Sequence, residues 1–221
     1  MAVNGSRRVF RCSAILFDMD GTLVDSTAVV VRHWRKWAAL HGLDVEDILA
    51  VSHGRRTIDT MREFAPYGPE LEDAARRFVE AEAEDGEGVV EVPGAGALLA
   101  QVPRERWAVV TSAPVPLMTR RFGFARLPLP DLRVTSELVT RGKPDPEGYL
   151  LGAAKLGLPA EQCLVIEDTP AGVAAGAAAG MAVLAVGTTV AREKLAAPWV
   201  RDYTGVRVRV GEHVELEANC S

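Results

Sequence analysis

The chain has 221 residues, of which 48% are hydrophobic and 25% are charged, and its formal net charge is −5. This length and apolar fraction are enough to bury the core of one large unit, with or without an insertion. Binding to nucleic acid or to an anionic membrane needs a dense basic surface, which the negative net charge argues against. We therefore expect a soluble globular protein without a nucleic-acid or membrane partner.

The cysteines and the N-terminal segment indicate the compartment. Cys12, Cys163 and Cys220 are an odd number at wide spacing, and no Cys-x-x-Cys pair is present to hold zinc. The segment MAVNGSRRVFRCS has no apolar stretch of the secretion-signal type, and no run approaches the ~18 apolar residues of a membrane helix. We therefore expect a reduced, cytoplasmic setting.

The first predicted strand is the apolar run AILF, which ends at two carboxylates. An apolar run bounded by glycine is typical of a buried strand. Asp18 and Asp20 follow it on either side of Met19, and Gly21 and Thr22 come directly after them. Because side chains alternate along an extended backbone, the two carboxylates should face the same way, about 6 to 7 Å apart. The structural alternative is a pair of turn or helix-capping residues.

Helical patterns dominate the next part of the chain, and no strand is predicted among them. The segments STAVVVRHWRKWAALHG, TIDTMREF and LEDAARRFVEAEAED have helical apolar spacing, and the first should stop at Gly42. A connection with roughly 60 to 65 residues of helix predicts a cap over the carboxyl ends of the strands, where α/β sheets bind ligands. Trp34 and Trp37 are interpreted as core residues of this cap rather than as a stacking platform.

The rest of the chain alternates short apolar runs with helical segments. WAVVTS, LRVTS, CLVIED and MAVLAVG are predicted strands, with the helical segments PVPLMTRRFG, PEGYLLGAAKLGL and TPAGVAAGAAAG between them. Buried strands joined by helical crossovers predict an α/β fold with a doubly wound parallel sheet. We expect residues 11–27 and 92–210 to form the core and 28–91 the cap, with flexible tails at 1–10 and 211–221.

Polar side chains lie where four of these segments end. They are Asp18 and Asp20, Thr111 and Ser112, Lys143, and Glu167 and Asp168. In a doubly wound sheet these ends converge on one crevice. Several carboxylates in one place repel each other unless a cation lies among them, and Mg²⁺ prefers such oxygen ligands. We therefore predict a Mg²⁺ site whose bound phosphate is also held by Lys143 and Thr111.

Four motifs occur in order along the chain: FDMDGTLVDS, VVTSA, GKPDP and VIEDTPAG. Together they resemble the haloacid dehalogenase superfamily, in its subfamily with a helical cap after the first motif, over roughly residues 11 to 200. The segments SHGRRT and GKPDPEGYLLGAAKLG further resemble the glycerol-phosphate and 2-deoxyglucose-6-phosphate phosphatases of that subfamily. Arg55 departs from this pattern, because the glycerol-phosphate enzymes have a bulky aromatic residue there.

The resemblance implies a role for each motif residue. Asp18 is the expected nucleophile and Asp20 the general acid and base, while Thr111 and Lys143 complete the catalytic set. Thr22 should orient Asp20 by a hydrogen bond. Either Glu167 or Asp168 should cap the helix that begins at TPAG. The expected metal ligands are Asp18, Asp20 through its backbone carbonyl, Asp168 and, as a further candidate, Glu167. The expected substrate-binding residues are Met19, Thr22, Ser112, His53, Gly54, Arg55 and Arg56.

The leading interpretation is a magnesium-dependent phosphatase that hydrolyses small sugar or polyol phosphates, such as glycerol phosphate or hexose phosphate, through an aspartyl phosphate. We expect a monomer that acts on a small phosphorylated metabolite. The alternative enzyme is a phosphosugar mutase of the β-phosphoglucomutase kind, in which Arg55 and Arg56 would grip a second phosphate. The alternative from another class is a signalling receiver phosphorylated on aspartate. The large helical insertion argues against it, because a receiver encloses no substrate.

Overall fold

The computed structural model describes residues 6–65, 68 and 70–220. Its strands, in chain order, are β1 (Ser6–Cys12), β2 (Ala14–Phe17), β3 (Val24–Asp25), β4 (Val90–Glu91), β5 (Trp107–Val110), β6 (Arg133–Val134), β7 (Cys163–Glu167), β8 (Ala182–Val186), β9 (Trp199–Val200), β10 (Arg207–Val210) and β11 (Val214–Cys220). Its α-helices are α1 (Thr27–His41), α2 (Val45–Ser52), α3 (Thr57–Phe64), α4 (Glu70–Glu84), α5 (Ala95–Leu99), α6 (Val115–Phe124), α7 (Glu147–Lys155) and α8 (Pro170–Ala178).

A parallel six-stranded sheet lies at the centre of the molecule, with the strands in the order β6-β5-β2-β7-β8-β9. Every residue of β2, β5 and β7 is buried, which explains their continuous apolar runs. The chain goes from β2 to β5 and β6 on one side, then returns to β7 on the other side. The carboxyl ends of three neighbouring strands therefore border one crevice. This confirms the predicted doubly wound α/β fold.

Side chains of β2 alternate between two hydrophobic clusters. Ile15 and Phe17 lie in the larger cluster, with Leu98 of α5 and Phe122 of α6. Leu16 points to the other face, where α7 and α8 pack. A strand that is buried on both faces cannot slip by one residue without exposing apolar side chains or burying polar ones. The core therefore fixes the position of the polar residues that follow β2.

The helices α1 to α4 form the predicted insertion and enclose a hydrophobic cluster of their own. Trp34 and Trp37 belong to this cluster as predicted, with ring centroids 5.4 Å apart in a T-shaped arrangement. α1 ends at His41, and Gly42 adopts the left-handed conformation (φ 66°) that commonly terminates a helix. None of the helices in the described ranges is long and apolar enough to cross a bilayer. The division into a separate cap and core stays a prediction.

Two short strands lie at the base of the insertion, where the sequence predicts none. β3 pairs antiparallel with β4, so the chain enters and leaves the insertion side by side. Each strand has only 2 residues, too few to produce an alternating pattern in the sequence. The expectation of an uninterrupted helical connection is therefore wrong at its two ends.

The chain ends differ from the flexible tails predicted at 1–10 and 211–221. β1 and β10 flank β11 in a separate antiparallel sheet. One face of β11, which includes Leu216, is buried in the main hydrophobic cluster. Polar residues alternate with these apolar ones along β11, and most of β1 is exposed, so both segments resemble solvated tails in the sequence. Residues 1–5 and 221 lie outside the described part of the chain.

Candidate active site

Three neighbouring strands and one loop bring the predicted catalytic residues together. Asp18 follows β2 directly, and Glu167 is the last residue of β7. The Lys143 ammonium group lies between them, 2.5 Å from Asp18 Oδ1 and 2.6 Å from Glu167 Oε1. It donates a further hydrogen bond of 3.2 Å to the Val110 carbonyl at the end of β5. All three N–H groups of Lys143 are therefore engaged with the protein.

Glu167 contacts this lysine and uses both of its oxygens in hydrogen bonds, and it stays a candidate metal ligand. Its Oε1 also accepts a 2.9 Å hydrogen bond from Tyr149, and its Oε2 accepts from the backbone N–H groups of Asp168 and Thr169. Burial raises the pKa of Glu167, but Lys143 and these N–H groups outweigh it and lower the pKa below its usual range. The side chain of Thr169 caps the N-terminus of α8. The prediction that Glu167 or Asp168 caps this helix is therefore wrong.

Asp168, the residue after β7, is oriented by two hydroxyl groups. Thr22 donates to its Oδ1 at 3.1 Å, and Thr189 donates to its Oδ2. Gly21 has a left-handed conformation (φ 77°) and approaches Asp168 so closely that a Cβ atom there would collide with the carboxylate. The prediction that Thr22 orients Asp20 is wrong, because its hydroxyl binds the other carboxylate.

The buried carboxylates carry more negative charge than their lysine neutralises. Asp18, Glu167 and Asp168 have oxygen atoms within 4.8 Å of one another. Burial raises the pKa of Asp18 to about 7, an effect that Lys143 opposes and Glu167 strengthens. Burial and repulsion from the neighbouring carboxylates also raise the pKa of Asp168. A divalent cation held by Asp18 and Asp168 would remove this imbalance, so these residues fit Mg²⁺.

Asp20 turns its carboxylate away from this cluster and toward two other side chains. Ser26 donates to its Oδ1 at 2.7 Å, and Arg121 Nη1 lies 2.5 Å from its Oδ2. Arg121 Nη2 is 3.4 Å from Glu82, whose pKa burial raises to about 7 against the effect of Arg121. The Asp20 side chain is thus held at both oxygens while it lines the cavity, and its backbone carbonyl stays a predicted metal ligand.

Sequence reasoning missed Arg121 and Glu82. Arg121 follows another arginine in LMTRRFG, and Glu82 lies in the acidic run EAEAED. Both stretches are typical of solvated helix surfaces, yet these two side chains are only 5% exposed. Helical periodicity alone could have placed Phe78 and Glu82, four residues apart, on one buried face of α4.

The two residues after β5 have different roles. Thr111 Oγ1 accepts a hydrogen bond of 3.1 Å from the Ala113 N–H, which leaves its hydroxyl proton available to a substrate oxygen. Ser112 donates to the Gly54 carbonyl at 2.8 Å. In this structure, Ser112 and Gly54 therefore fasten the loop between α2 and α3 over the crevice.

The arginines of that loop already have carboxylate partners. Arg55 pairs with Glu63 at 2.7 Å. Arg56 binds both oxygens of Asp59, at 2.6 and 3.1 Å, and donates to the Thr140 carbonyl at 3.1 Å. A guanidinium group has five N–H donors, so Arg56 keeps capacity for a substrate while it bridges the insertion and the loop before Lys143.

A cavity of about 720 Å³ separates the helical insertion from the strand ends. His53 lines it, and burial lowers the pKa of this imidazole while Asp20 opposes the effect. Apolar side chains such as Trp34 and Ile58 form part of the wall. The predicted site residues that line the cavity are Asp18, Asp20, His53, Gly54, Arg55, Arg56, Thr111, Ser112 and Asp168.

The side chains of Met19 and Thr22, two of the expected substrate-binding residues, lie outside the cavity lining. Both are fully buried, and Met19 belongs to the main hydrophobic cluster. The Met19 carbonyl accepts hydrogen bonds from the N–H groups of Thr22, Leu23 and Val24. Any contact of Met19 with a substrate would therefore have to come from its backbone N–H. Side chains alternate along an extended backbone, so Met19 points into the core while Asp18 and Asp20 on either side of it face the crevice.

Comparisons with known proteins agree with this geometry. The family model of haloacid dehalogenase-like hydrolases matches residues 12–180. Hexitol phosphatase A of Escherichia coli K12 is 47% identical over 180 residues, which cover 80% of this chain and 83% of that protein. Glycerol-1-phosphate phosphohydrolase 1 of Saccharomyces cerevisiae is 36% identical over 190 residues, covering 81% and 76%.

A solved structure shares the fold across most of the chain. CbbY from Rhodobacter sphaeroides, crystallised in complex with phosphate, gives a TM-score of 0.76 at 23% identity, over 87% of this chain and 95% of that one. The match to the family model spans strands β2 to β7, the helical insertion and all four motifs, and each of the two relatives aligns with about four fifths of the chain. The chain therefore belongs to the haloacid dehalogenase-like hydrolase family.

Proposed function

We propose that this protein is a magnesium-dependent phosphatase that hydrolyses small sugar or polyol phosphates through a phosphorylated Asp18. The observation that carries the proposal is the position of Asp18, a buried carboxylate beside Lys143 that borders the cavity under the helical insertion. The relatives named for hexitol phosphate and glycerol 1-phosphate support this substrate class.

The side chains suggest how the phosphoryl group is transferred. Asp18 attacks phosphorus, so that a new oxygen–phosphorus bond forms as the bond to the substrate oxygen breaks. Asp20 gives a proton to that departing oxygen and later takes one from the water that hydrolyses the aspartyl phosphate. The Thr111 hydroxyl donates a hydrogen bond to a phosphate oxygen. The positive charge of Lys143 offsets part of the negative charge at the site.

Asp18 and Asp168 are the residues that would hold Mg²⁺ with their carboxylates, with Glu167 as a further candidate beside them. The family resemblance adds the Asp20 backbone carbonyl. When bound, Mg²⁺ neutralises charge on the phosphate and on the attacking carboxylate. Thr22 and Thr189 keep the Asp168 carboxylate in one orientation beside the nucleophile. Glu167 also contacts Lys143 and so helps to hold its ammonium group beside Asp18.

The loop arginines favour a phosphatase over a phosphosugar mutase. A mutase needs a cation that grips a second phosphate, and the adjacent pair Arg55 and Arg56 is the candidate. Each is already paired, with Glu63 and Asp59 respectively, so gripping a second phosphate would place it beside a carboxylate or break an ion pair. The cavity between the helical insertion and the strand ends likewise favours a small-molecule substrate over the signalling-receiver alternative.

Release of inorganic phosphate from a panel of monophosphates tests this proposal. The panel contains hexitol phosphates, glycerol 1-phosphate, 2-deoxyglucose 6-phosphate and a hexose 1-phosphate whose isomers are also analysed. We expect steady release from polyol or hexose monophosphates with Mg²⁺, and none in excess chelator. Conversion of the hexose 1-phosphate to its 6-phosphate without release would identify a mutase and contradict the proposal.

A further inference from the structure

We propose that Arg121 is a positioning residue for Asp20, and that Glu82 makes this positioning depend on where the helical insertion sits. The inference rests on the proposed function, because it concerns the proton transfer of that reaction. Arg121 belongs to α6, which packs on the central sheet, whereas Glu82 belongs to α4 of the insertion. Asp20 lies on the segment between β2 and β3.

One planar group connects these three elements. Arg121 directs Nη1 to Asp20 Oδ2 at 2.5 Å and Nη2 to Glu82 Oε1 at 3.4 Å. The directions of these N–H groups are fixed relative to each other, because the guanidinium is planar and rigid. A shift of α4 relative to α6 would therefore change how Arg121 meets Asp20.

Asp20 is held at both of its oxygens. Ser26, directly before α1, donates to Oδ1 at 2.7 Å, and Arg121 contacts Oδ2. The terminal torsion of an aspartate is broad and soft, so two opposed contacts are needed to fix the plane of the carboxylate. Loss of the Arg121 contact would leave Ser26 as a single anchor about which this plane can turn.

A purely structural role does not explain Arg121. Its Nε is buried and has no hydrogen-bond partner among the described residues, which destabilises the fold. The neighbouring Arg120 joins the same two helices through Glu84 at 2.8 Å, with side chains that are 54% and 70% exposed. That exposed pair connects α4 to α6 without burying an arginine, so what distinguishes Arg121 is its contact with Asp20.

The test compares substrates whose leaving groups differ in their need for a proton. An alkyl phosphate that the wild type hydrolyses, with glycerol 1-phosphate as the first choice, needs its departing oxygen protonated; 4-nitrophenyl phosphate does not. Arg121→Lys keeps the charge but loses the fork that reaches both carboxylates. We expect it to lower kcat/KM about tenfold or more for the alkyl phosphate and less than about threefold for the aryl phosphate.

A second background shows whether Arg121 acts through Asp20. Adding Arg121→Lys to an Asp20→Asn protein should lower kcat/KM for the alkyl phosphate by less than about a further threefold. The effects of two substitutions are not additive when both act through the same group. Arg104→Lys is the control, because Arg104 pairs with Asp131 on the surface away from the cavity lining, and it should leave both substrates unchanged. If Arg121→Lys does not fold, Glu82→Gln serves instead, with an expected loss of about three- to tenfold confined to the alkyl phosphate.

Two results would overturn the inference. One is an equal loss on both substrates in a folded Arg121→Lys or Glu82→Gln protein, and the other is a full additional loss in the Asp20→Asn background. Failure of the wild type to hydrolyse any alkyl phosphate is a separate result, which contradicts the proposed function itself.

Discussion

Lys143 is the residue on which the charge of the site depends. Burial favours loss of its proton, but Asp18 and Glu167 outweigh that effect and raise the pKa of Lys143 well above its usual range. The residue is therefore positively charged at neutral pH. Its charge lowers the pKa of Asp18 from the value that burial alone would produce, which favours the ionised nucleophile.

Lys143→Met should lower kcat/KM at least ~100-fold, because the ammonium group that contacts Asp18 and Glu167 is lost. Without metal, it should also lower the free energy of unfolding by about 3 to 5 kcal/mol, since the buried carboxylates lose their partner. Mg²⁺ should restore part of that stability. Phosphate release and urea unfolding measure both effects, with the exposed Lys155→Met as control. An active, equally stable Lys143→Met protein would contradict the assignment.

Arg56→Ala should affect substrates unequally. Its remaining N–H donors can bind substrate hydroxyls, so kcat/KM for the preferred polyol or sugar phosphate should fall tenfold or more, on the order of 1 to 3 kcal/mol. A generic aryl phosphate offers no such hydroxyls and should lose much less. Arg62→Ala, which also removes an ion pair to Asp59 but is 56% exposed, is the matched control. Equal losses on both substrates would mean that Arg56 has only a structural role, through its hydrogen bond to the Thr140 carbonyl.

At this scale the sequence predicted which residues meet, but not how each side chain is paired. Strand ends in a doubly wound sheet converge whatever their rotamers, so the grouping of Asp18, Lys143 and Asp168 could be foreseen. The hydroxyl of Thr22 turns to Asp168, and Asp20 to a residue about a hundred positions away on α6. Such partners depend on tertiary packing, for which local spacing has no signal.

Among the elements, the helical insertion and the sheet layer are joined next to the candidate active site. The contacts are Ser112 with Gly54, Arg56 with Thr140, and Arg121 with Glu82. At the base of the insertion, Asp85 binds Arg32 and His33 of α1 and so connects the returning chain to the outgoing one. Movement of the insertion would therefore alter the surroundings of the cavity directly.

Glu82→Gln should change how stability depends on pH. In the folded protein the pKa of Glu82 is raised from 4.5 to about 7. Between these two pH values the folded protein keeps a proton that the unfolded chain has lost, so the stability of the wild type falls as pH rises through this range. Glutamine does not ionise. Relative to wild type, Glu82→Gln should gain on the order of 3 kcal/mol of unfolding free energy between pH 4.5 and 8.

Urea unfolding at several pH values, without metal, measures this difference. Glu84→Gln on the same helix is the control, because Glu84 is 70% exposed and should show no comparable trend. A constant difference between Glu82→Gln and wild type across the pH range would contradict a buried, ionisable Glu82.

The long helices of the insertion were predictable because apolar residues recur at helical spacing over many turns, as in α1. The strands β3 and β4 were not, because 2 residues define no period. β11 does alternate, but its pairing with β1 joins residues about two hundred positions apart. Only tertiary context shows that the apolar face of β11 reaches the core.

For the whole molecule, the negative cluster implies that metal binding stabilises the fold. If Asp18 and Asp168 hold Mg²⁺ in the folded state only, a metal concentration 100 times the Kd should add about 2.7 kcal/mol to the free energy of unfolding. Asp168→Asn should remove most of this gain, and the exposed Asp131→Asn should keep it. Thermal unfolding with and without Mg²⁺ measures the effect independently of activity. An equal Mg²⁺ response in Asp168→Asn would place the metal elsewhere.

Transfer of the phosphoryl group to Asp18 can be observed directly by acid quenching and mass spectrometry. Wild-type protein is mixed with Mg²⁺ and an excess of hydrolysable polyol or sugar phosphate, quenched during turnover, and digested. We expect the peptide that contains Asp18 to carry the mass of one added phosphoryl group, and the folded Asp18→Asn protein to show neither this adduct nor turnover. An adduct on another residue, or full turnover by Asp18→Asn, would contradict the proposed mechanism.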